Sequence, residues 1–496
     1  MKRFLFTFFL CIPLSVFSQG RGDTWCFGDS AQMKFIGSNL QPNSTSSLYS
    51  GEESSSISDQ SGNLLFYAGP NFFHSNGWMT ELTIWDRNDQ IIQNGDSLNS
   101  DNSVTNGTLI LPMVHDTSKY LVFSIGYVFF APGLYCSIVD MTQNSGLGGL
   151  ILRDSLVLSG YLAEKLVAVK HANGRDWWVL VHKIIPNDST NIYYRFLVDS
   201  TGVNYPDSQA IGTYYCNPTN FNRGIIGEMT ASEDGSKIVS VGYGMIDMFD
   251  FNRCTGELSN FFSLAPTNLS YPNDNFYGTS FSNTGNRLYV SSIAGDLGPT
   301  NQYLYQYDLT ALNILASRTL IQQFYIPLLN LGQHQIGPNG KIYIATAYDA
   351  FPTQHDTIYN MNLSVINDPD SLGLSCNFQP FSVPIGLGSS YLGLPNMPNY
   401  NLGALEINCD SINNLPEASN VFQTLTAIPN PSTGVFHIQS KEEIENIKVF
   451  NYTGEIVFSK SGQISILDLS QNISGIYFYK IATKENKVFS GKLIKE

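Results

Sequence analysis

Six times along the chain a short polar turn is followed at once by a run of apolar and aromatic residues. The turns centre on Asp59-Gln60-Ser61-Gly62, Asp116-Thr117-Ser118, Asn173-Gly174, Asp234-Gly235, Asn283-Thr284-Gly285 and Asn339-Gly340. Behind them stand runs such as Leu64-Leu65-Phe66-Tyr67, Tyr120-Leu121-Val122-Phe123 and Trp177-Trp178-Val179-Leu180. Asp or Asn shortly before Gly is hairpin chemistry, with glycine in the left-handed position. The markers Gly62, Ser118, Gly174, Gly235, Gly285 and Gly340 are spaced by 56, 56, 61, 50 and 55 residues. That period accommodates four short strands, the size of one β-propeller blade. Small residues precede the markers (Ser54-Ser55-Ser56, Gly107-Thr108, Gly278-Thr279-Ser280), as inner strands crowded around an axis require.

Two pieces remain unmatched. Thr24-Trp25-Cys26-Phe27-Gly28 and Met33-Lys34-Phe35-Ile36 read as outer strands with no inner strand before them. Leu392-Gly393-Leu394-Pro395-Asn396-Met397 reads as an inner strand with none after it. Joined, they form a composite blade that leaves no free edge in the ring. The expectation is an all-β chain: a seven-bladed β-propeller over residues 19–402, with six blades as the alternative. Residues 403–423 lack apolar periodicity and read as a linker. Residues 424–496 again alternate apolar and polar positions around Val435, His437, Ile447, Val449, Ile456 and Tyr477, which predicts a small Ig-like β-sandwich.

Composition agrees with an exported β protein: aromatics are 13% and charged residues only 14%. Met1-Lys2-Arg3 and the apolar run Phe4 to Phe17 predict a signal peptide over residues 1–18, cleaved before Gln19. The run is too short to span a bilayer, and no later stretch reaches transmembrane length. Net charge is −15, or −17 once Lys2 and Arg3 leave, which argues against nucleic acid or anionic lipid as a partner. Six cysteines then remain, none in a Cys-x-x-Cys pair, so disulfides are expected rather than zinc. Cys216 with Cys254 is the expected pair, and Cys409 is a second candidate, tethering the linker to the propeller. Oligomeric state is not legible.

Ordered motifs occupy the C-terminus: Pro429-Asn430-Pro431 with Gly434, Tyr452-Thr453-Gly454-Glu455, Gly475-Ile476-Tyr477, and the basic, aliphatic Lys492-Leu493-Ile494-Lys495. With these the segment resembles the type A C-terminal sorting domain of type IX secretion system cargo. The resemblance implies export through the periplasm to the outer surface or the medium, with that machinery as partner. Trp25-Cys26-Phe27-Gly28, Ile84-Trp85-Asp86-Arg87-Asn88 and Glu164-Lys165-Leu166-Val167-Ala168-Val169-Lys170-His171 further resemble a WD-repeat-like propeller common in such cargo. That likeness brings no catalytic residues with it.

No hydrolase, metalloprotease or phosphate-binding motif is present. Asp86-Arg87-Asn88-Asp89, Asn273-Asp274-Asn275 and Asn367-Asp368-Pro369-Asp370 crowd oxygen atoms without the ligand spacing of a calcium loop. Polar turns are expected there, with calcium the weaker alternative and no other cofactor. Aligning the repeats brings Glu52, Glu53, Glu164, Lys165, Glu228, Gln333 and His334 to similar heights on the inner strands. Carboxylates and an imidazole around a channel mouth would hold a glycan or a protein ligand, or perform acid–base work. Equally, Glu164 and Lys165 would make an ion pair and His334 a satisfied channel histidine. Trp78, Trp85, Trp177 and Trp178 are candidate sugar-stacking faces, with at least one of the last two in the core. A non-catalytic surface binding or adhesion protein is the favoured function; a polysaccharide hydrolase or lyase using Glu52, Glu53 or Glu228 is the alternative.

Overall fold

Gly62, Gly174, Gly235, Gly285 and Gly340 all take positive φ, between 69° and 80°, as the hairpin turns require. In five turns the Asp or Asn side chain accepts the backbone N–H two residues on: Asp59 from Ser61, Asp116 from Ser118, Asn173 from Arg175, Asp234 from Ser236, Asn339 from Lys341. Each turn folds the innermost strand of a sheet back onto the second.

The computed structural model describes residues 20–70, 81–101, 103–126, 131–185, 188–215, 224–265, 275–293, 301–348, 357–406, 409, 426–440, 443–451, 454–484 and 488–496. The expected signal peptide (1–18), Cys216, Trp78, Asn273, Asp274, Tyr452, Thr453 and residues 407–408 and 410–423 of the expected linker lie outside them. The chain forms two compact units, Met1–Cys409 and Asp410–Glu496.

Among the described residues the first unit holds seven antiparallel sheets, spanning residues 24–49, 55–86, 108–159, 162–215, 229–263, 276–324 and 329–384. We call them blades one to seven. Their first strands touch in succession: Thr24–Phe27, Ser55–Ser58, Thr108–Pro112, Leu162–Lys170, Met229–Ala231, Phe276–Phe281 and Leu329–Ile336. The ring closes where Phe378–Pro384 of blade seven meets Asn39–Tyr49 of blade one. There Trp25, fully buried, packs edge-on against Phe35 and Tyr343, each 5.5 Å away.

The two chain ends share this closure. Asp29 and Ser389 exchange both backbone hydrogen bonds at 2.9 Å. Gln333 N–H donates to Leu392 C=O (2.7 Å), Leu392 N–H to Gly51 C=O (2.9 Å) and Asn396 N–H to Ser54 C=O (2.8 Å). Residues 389–396 thus take the innermost place in a blade otherwise built from the N-terminus. The propeller has seven blades.

Past Asn396 the chain crosses the channel end that carries the Asx–Gly turns. Tyr400 stands edge-on to Trp177 (6.1 Å) and donates from its hydroxyl to Ile110 C=O (2.8 Å). Asn399 donates to Glu233, Arg253 to Gly403 C=O, and Leu405 N–H to Ala172 C=O. A Cys254–Cys409 disulfide pins the far end. Residues 403–406 and Cys409, expected as linker, therefore pack on the propeller. The disulfide also overturns the expected Cys216–Cys254 pair, since Cys254 is already used. Spacing could not reveal this, because the two halves are 155 residues apart and meet only through the strap. Cys26, Cys136 and Cys376 are free and buried.

The second unit is a sandwich. One sheet contains Thr426–Ile428, Val435–Gln439 and Ile466–Asp468; the other orders Ile456–Ser461, Ile444–Phe450, Gly475–Thr483 and Val488–Lys495. Phe436, Ile447, Val449, Leu467, Ile481 and Leu493 are fully buried between them. The sequence motifs acquire physical roles here. Asn430 accepts from Ile494 N–H (2.8 Å) and donates to Lys492 C=O (2.7 Å). Ser432 N–H donates to Ile494 C=O and Glu496 N–H to Ser432 C=O, both 2.9 Å. The Pro429-Asn430-Pro431 segment thereby covers the open edge of the last strand. Gly434, at φ 132°, has no room for a side chain: a Cβ would lie 2.7 Å from Ser470 Cα. Tyr477, on the strand opened by Gly475, donates to Ile473 C=O (2.6 Å), and Gly454 takes φ 82° in the turn from Asn451 to Glu455.

Candidate channel-mouth site

The inner strands bring their first residues to the channel mouth opposite the strap, and the seven sequence candidates gather along this axis. They sort into two groups.

Glu53, Lys165, Glu228, Gln333 and His334 are buried and act between blades. Glu53 of blade two accepts both from Ser100 (2.7 Å) and from Thr108 of blade three. Lys165 of blade four donates to Gly227 C=O (2.6 Å), Val241 C=O (2.7 Å) and Ile226 C=O (3.3 Å) in and before blade five. Glu228 of blade five accepts the N–H of Thr279 in blade six (2.8 Å) and of His334 in blade seven (3.1 Å). Gln333 donates to Thr105 C=O and accepts from Leu394 N–H (2.7 Å). The His334 imidazole lies 3.0 Å from Ser291 Oγ and 3.4 Å from Ser280 Oγ. Burial pushes the Glu53 and Glu228 carboxyls up to about 8, although hydrogen bonds to each oppose the shift. Burial lowers Lys165 to about 7, opposed by Glu164, Glu228 and Asp247, and lowers His334 to about 3, so that histidine is neutral. Glu164 and Lys165 are not paired with each other, because their side chains serve different blades.

Glu52 and Glu164 form the second group, and both keep part of their surface open. Glu52 accepts from Tyr277 OH (2.7 Å) and Ser103 Oγ (3.2 Å). Glu164 accepts from both the N–H (3.1 Å) and the hydroxyl (2.7 Å) of Thr105. Burial first, with Asp101 adding repulsion, raises Glu52 to about 7 against the two hydroxyl donors. Glu164 is raised well above the carboxylate range by burial and then by Glu52 itself.

Sequence reasoning missed Tyr277, Ser103 and Thr105. Tyr277 precedes Gly278-Thr279-Ser280, so repeat alignment could have found it. Thr105 and its neighbours lie in a segment before blade three that enters the channel: Thr105 also accepts from Gly227 N–H, and Asn106 from Met229 N–H. No periodic pattern announces that excursion. Towards the strap, Glu228, His334, Asn106 and Asn399 line a cavity of about 120 Å³, with room for several waters.

The remaining candidates fall elsewhere. Trp85, Trp177 and Trp178 are buried, which removes them as open stacking faces; Trp85 instead stacks on Tyr67 at 5.3 Å. Asp86 accepts from Asn88 and Gln90 N–H, and Asp370 from Thr284, so both are turn or loop caps. Among the described residues, no cluster of three or more His, Cys, Asp or Glu suits a metal ion.

The fold and its tail define an exported propeller protein carrying a secretion address. Residues 426–496 match the family model described as a secretion system C-terminal sorting domain. This is the sorting domain of type IX secretion cargo, and it directs the protein to the cell surface or the extracellular space. No helix among the described residues is long and apolar enough to cross a membrane. Comparison with curated proteins returns no match. Similar solved structures include a proposed 6-phosphogluconolactonase from Bacteroides fragilis (10% identity, TM-score 0.45, covering 77% of this chain and 99% of that one). Others are the periplasmic gluconolactonase of Pseudomonas aeruginosa (11%, TM-score 0.39, 82% and 97%) and the β-propeller domain of Cps50 from Myceliophteria thermophila (12%, TM-score 0.33, 65% and 93%). At these levels of likeness no activity carries over to this chain.

Proposed function

We propose that this protein is a surface-delivered, non-catalytic binding module whose ligand, a glycan or a protein segment, docks at the mouth formed by Glu52 and Glu164. One observation carries this reading: Glu52 and Glu164 alone among these seven candidates are only partly buried as residues, and their carboxyls sit close enough to shift each other. Their partners among the described residues are hydroxyls and an amide, so acceptor capacity remains for the hydroxyls of a sugar or the donors of a peptide. The other candidates are consumed in joining blades, which supports a rigid frame around the mouth. A glycan and peptide array probed with the full chain tests this: binding reduced in the E52Q/E164Q variant supports it, and unchanged binding refutes it.

The hydrolase or lyase alternative keeps one supporting observation. Glu52, held at about 7 beside a second carboxyl, has the protonation balance of a general acid–base group. Product release from polysaccharides that disappears in E52Q would favour this alternative.

A further inference from the structure

The sorting domain carries like charges directly opposite one another. On the four-stranded sheet, Lys448 and Lys480 are cross-strand partners, and Lys492 follows two positions along, opposite Phe478. Facing lysines destabilise a sheet, so the fold alone does not account for them. None of the three is in an ion pair among the described residues, and the partner across from Lys448 on its other side is Ser459. The same outer face exposes Ile456 (53%) and Ile476 (44%), with Phe478 half-buried between them. The outer face of the smaller sheet differs: Val435, His437, Ile466 and Asp468 carry no lysine. Over residues 426–496 eight lysines outnumber seven Asp and Glu, in a chain that is otherwise strongly acidic.

We propose that this lysine-rimmed apolar face is the surface by which the domain docks on the secretion machinery, against an apolar patch bordered by carboxylates. The machinery is already the partner of this domain, and the other obvious mode, strand addition at the last strand, is blocked. Asn430 and Ser432 occupy the outward N–H and C=O groups of residues 492–496. With that edge covered, what remains is the face, bounded on its far side by the edge strand Ile456–Ser461.

The test separates docking from folding, because the two respond in opposite directions. K448Q/K480Q in the full chain relieves the repulsion and should melt no lower than the native protein. Expressed in a cell with a working type IX system, it should nevertheless reach the surface at least tenfold less, and accumulate in the periplasm. K448R/K480R should be delivered normally, as should K484E, which alters only an exposed ion pair with Glu443. Normal surface delivery of K448Q/K480Q overturns the proposal. So does unchanged delivery combined with lost self-association, which would make a second copy the occupant, or with lost binding to anionic vesicles, which would make it a lipid surface.

Discussion

Replacing Glu228 by Gln should make the propeller more stable at pH 8 while leaving it nearly unchanged at pH 5. Both accepted hydrogen bonds fall on one oxygen, Oε2, from Thr279 N–H at 2.8 Å and His334 N–H at 3.1 Å. The other oxygen is free to hold a proton. Burial raises the carboxyl from 4.5 to about 8, so the folded state keeps a proton that the unfolded chain releases. A raised folded pKa gives a contribution fully present below 4.5 and lost as pH rises through 8. A tenfold difference in proton affinity is worth about 1.4 kcal/mol, so the loss across this window is on the order of 4–5 kcal/mol. Gln copies the protonated acid: its oxygen accepts the same two N–H groups and never ionises. Melting temperature followed by tryptophan fluorescence from pH 5 to 9 should therefore fall less steeply in E228Q than in the native chain. At pH 5 E228A should melt lower than the native chain, because it strands two buried N–H groups at about 1–3 kcal/mol each. Equal slopes for E228Q and the native protein would refute the assignment of Glu228 as a buried, protonated latch between three blades.

Glu53, tied to Ser100 and Thr108, follows the same logic; E53A should cost about 2–4 kcal/mol in denaturant unfolding, with E53Q close to native at pH 5. Cys409→Ser should free the strap, lowering stability by about 2–4 kcal/mol and abolishing the sensitivity of the melting temperature to dithiothreitol. Asn430→Ala removes the acceptor for Ile494 N–H, so hydrogen exchange at that amide should quicken at least tenfold. Deleting residues 424–496 should strand the protein in the periplasm, as read by fractionation and surface protease treatment.

Much of the fold was legible because repetition encodes it. The left-handed glycines at Gly62, Gly174, Gly235, Gly285 and Gly340 are local requirements of a turn, and their spacing exposed the blades. The composite blade was legible for a complementary reason: Trp25 and Leu392 belong to unmatched strand patterns at opposite ends, and only ring closure satisfies both. The strap was not. Tyr400, Leu405 and Cys409 make single contacts with blades far away in sequence, and no local pattern marks such contacts. For the site, residue positions were legible but roles were not. Glu53 and Glu228 look identical to Glu52 in sequence. Their difference lies in the neighbouring blade, which places Thr108 and Thr279 against them but leaves Glu52 partly open.

The binding mouth is tested most directly by titrating the native chain and the E52Q/E164Q variant with the strongest array ligand, by calorimetry at pH 8, alongside product analysis of the mixture. A mouth that binds without catalysis gives saturable binding to the native chain and at least tenfold weaker binding to the variant, whose melting temperature at pH 8 is no lower than that of the native chain, with intact ligand recovered from both. Equal affinities for the two proteins, or ligand cleaved by the native chain and not by the variant, would contradict it.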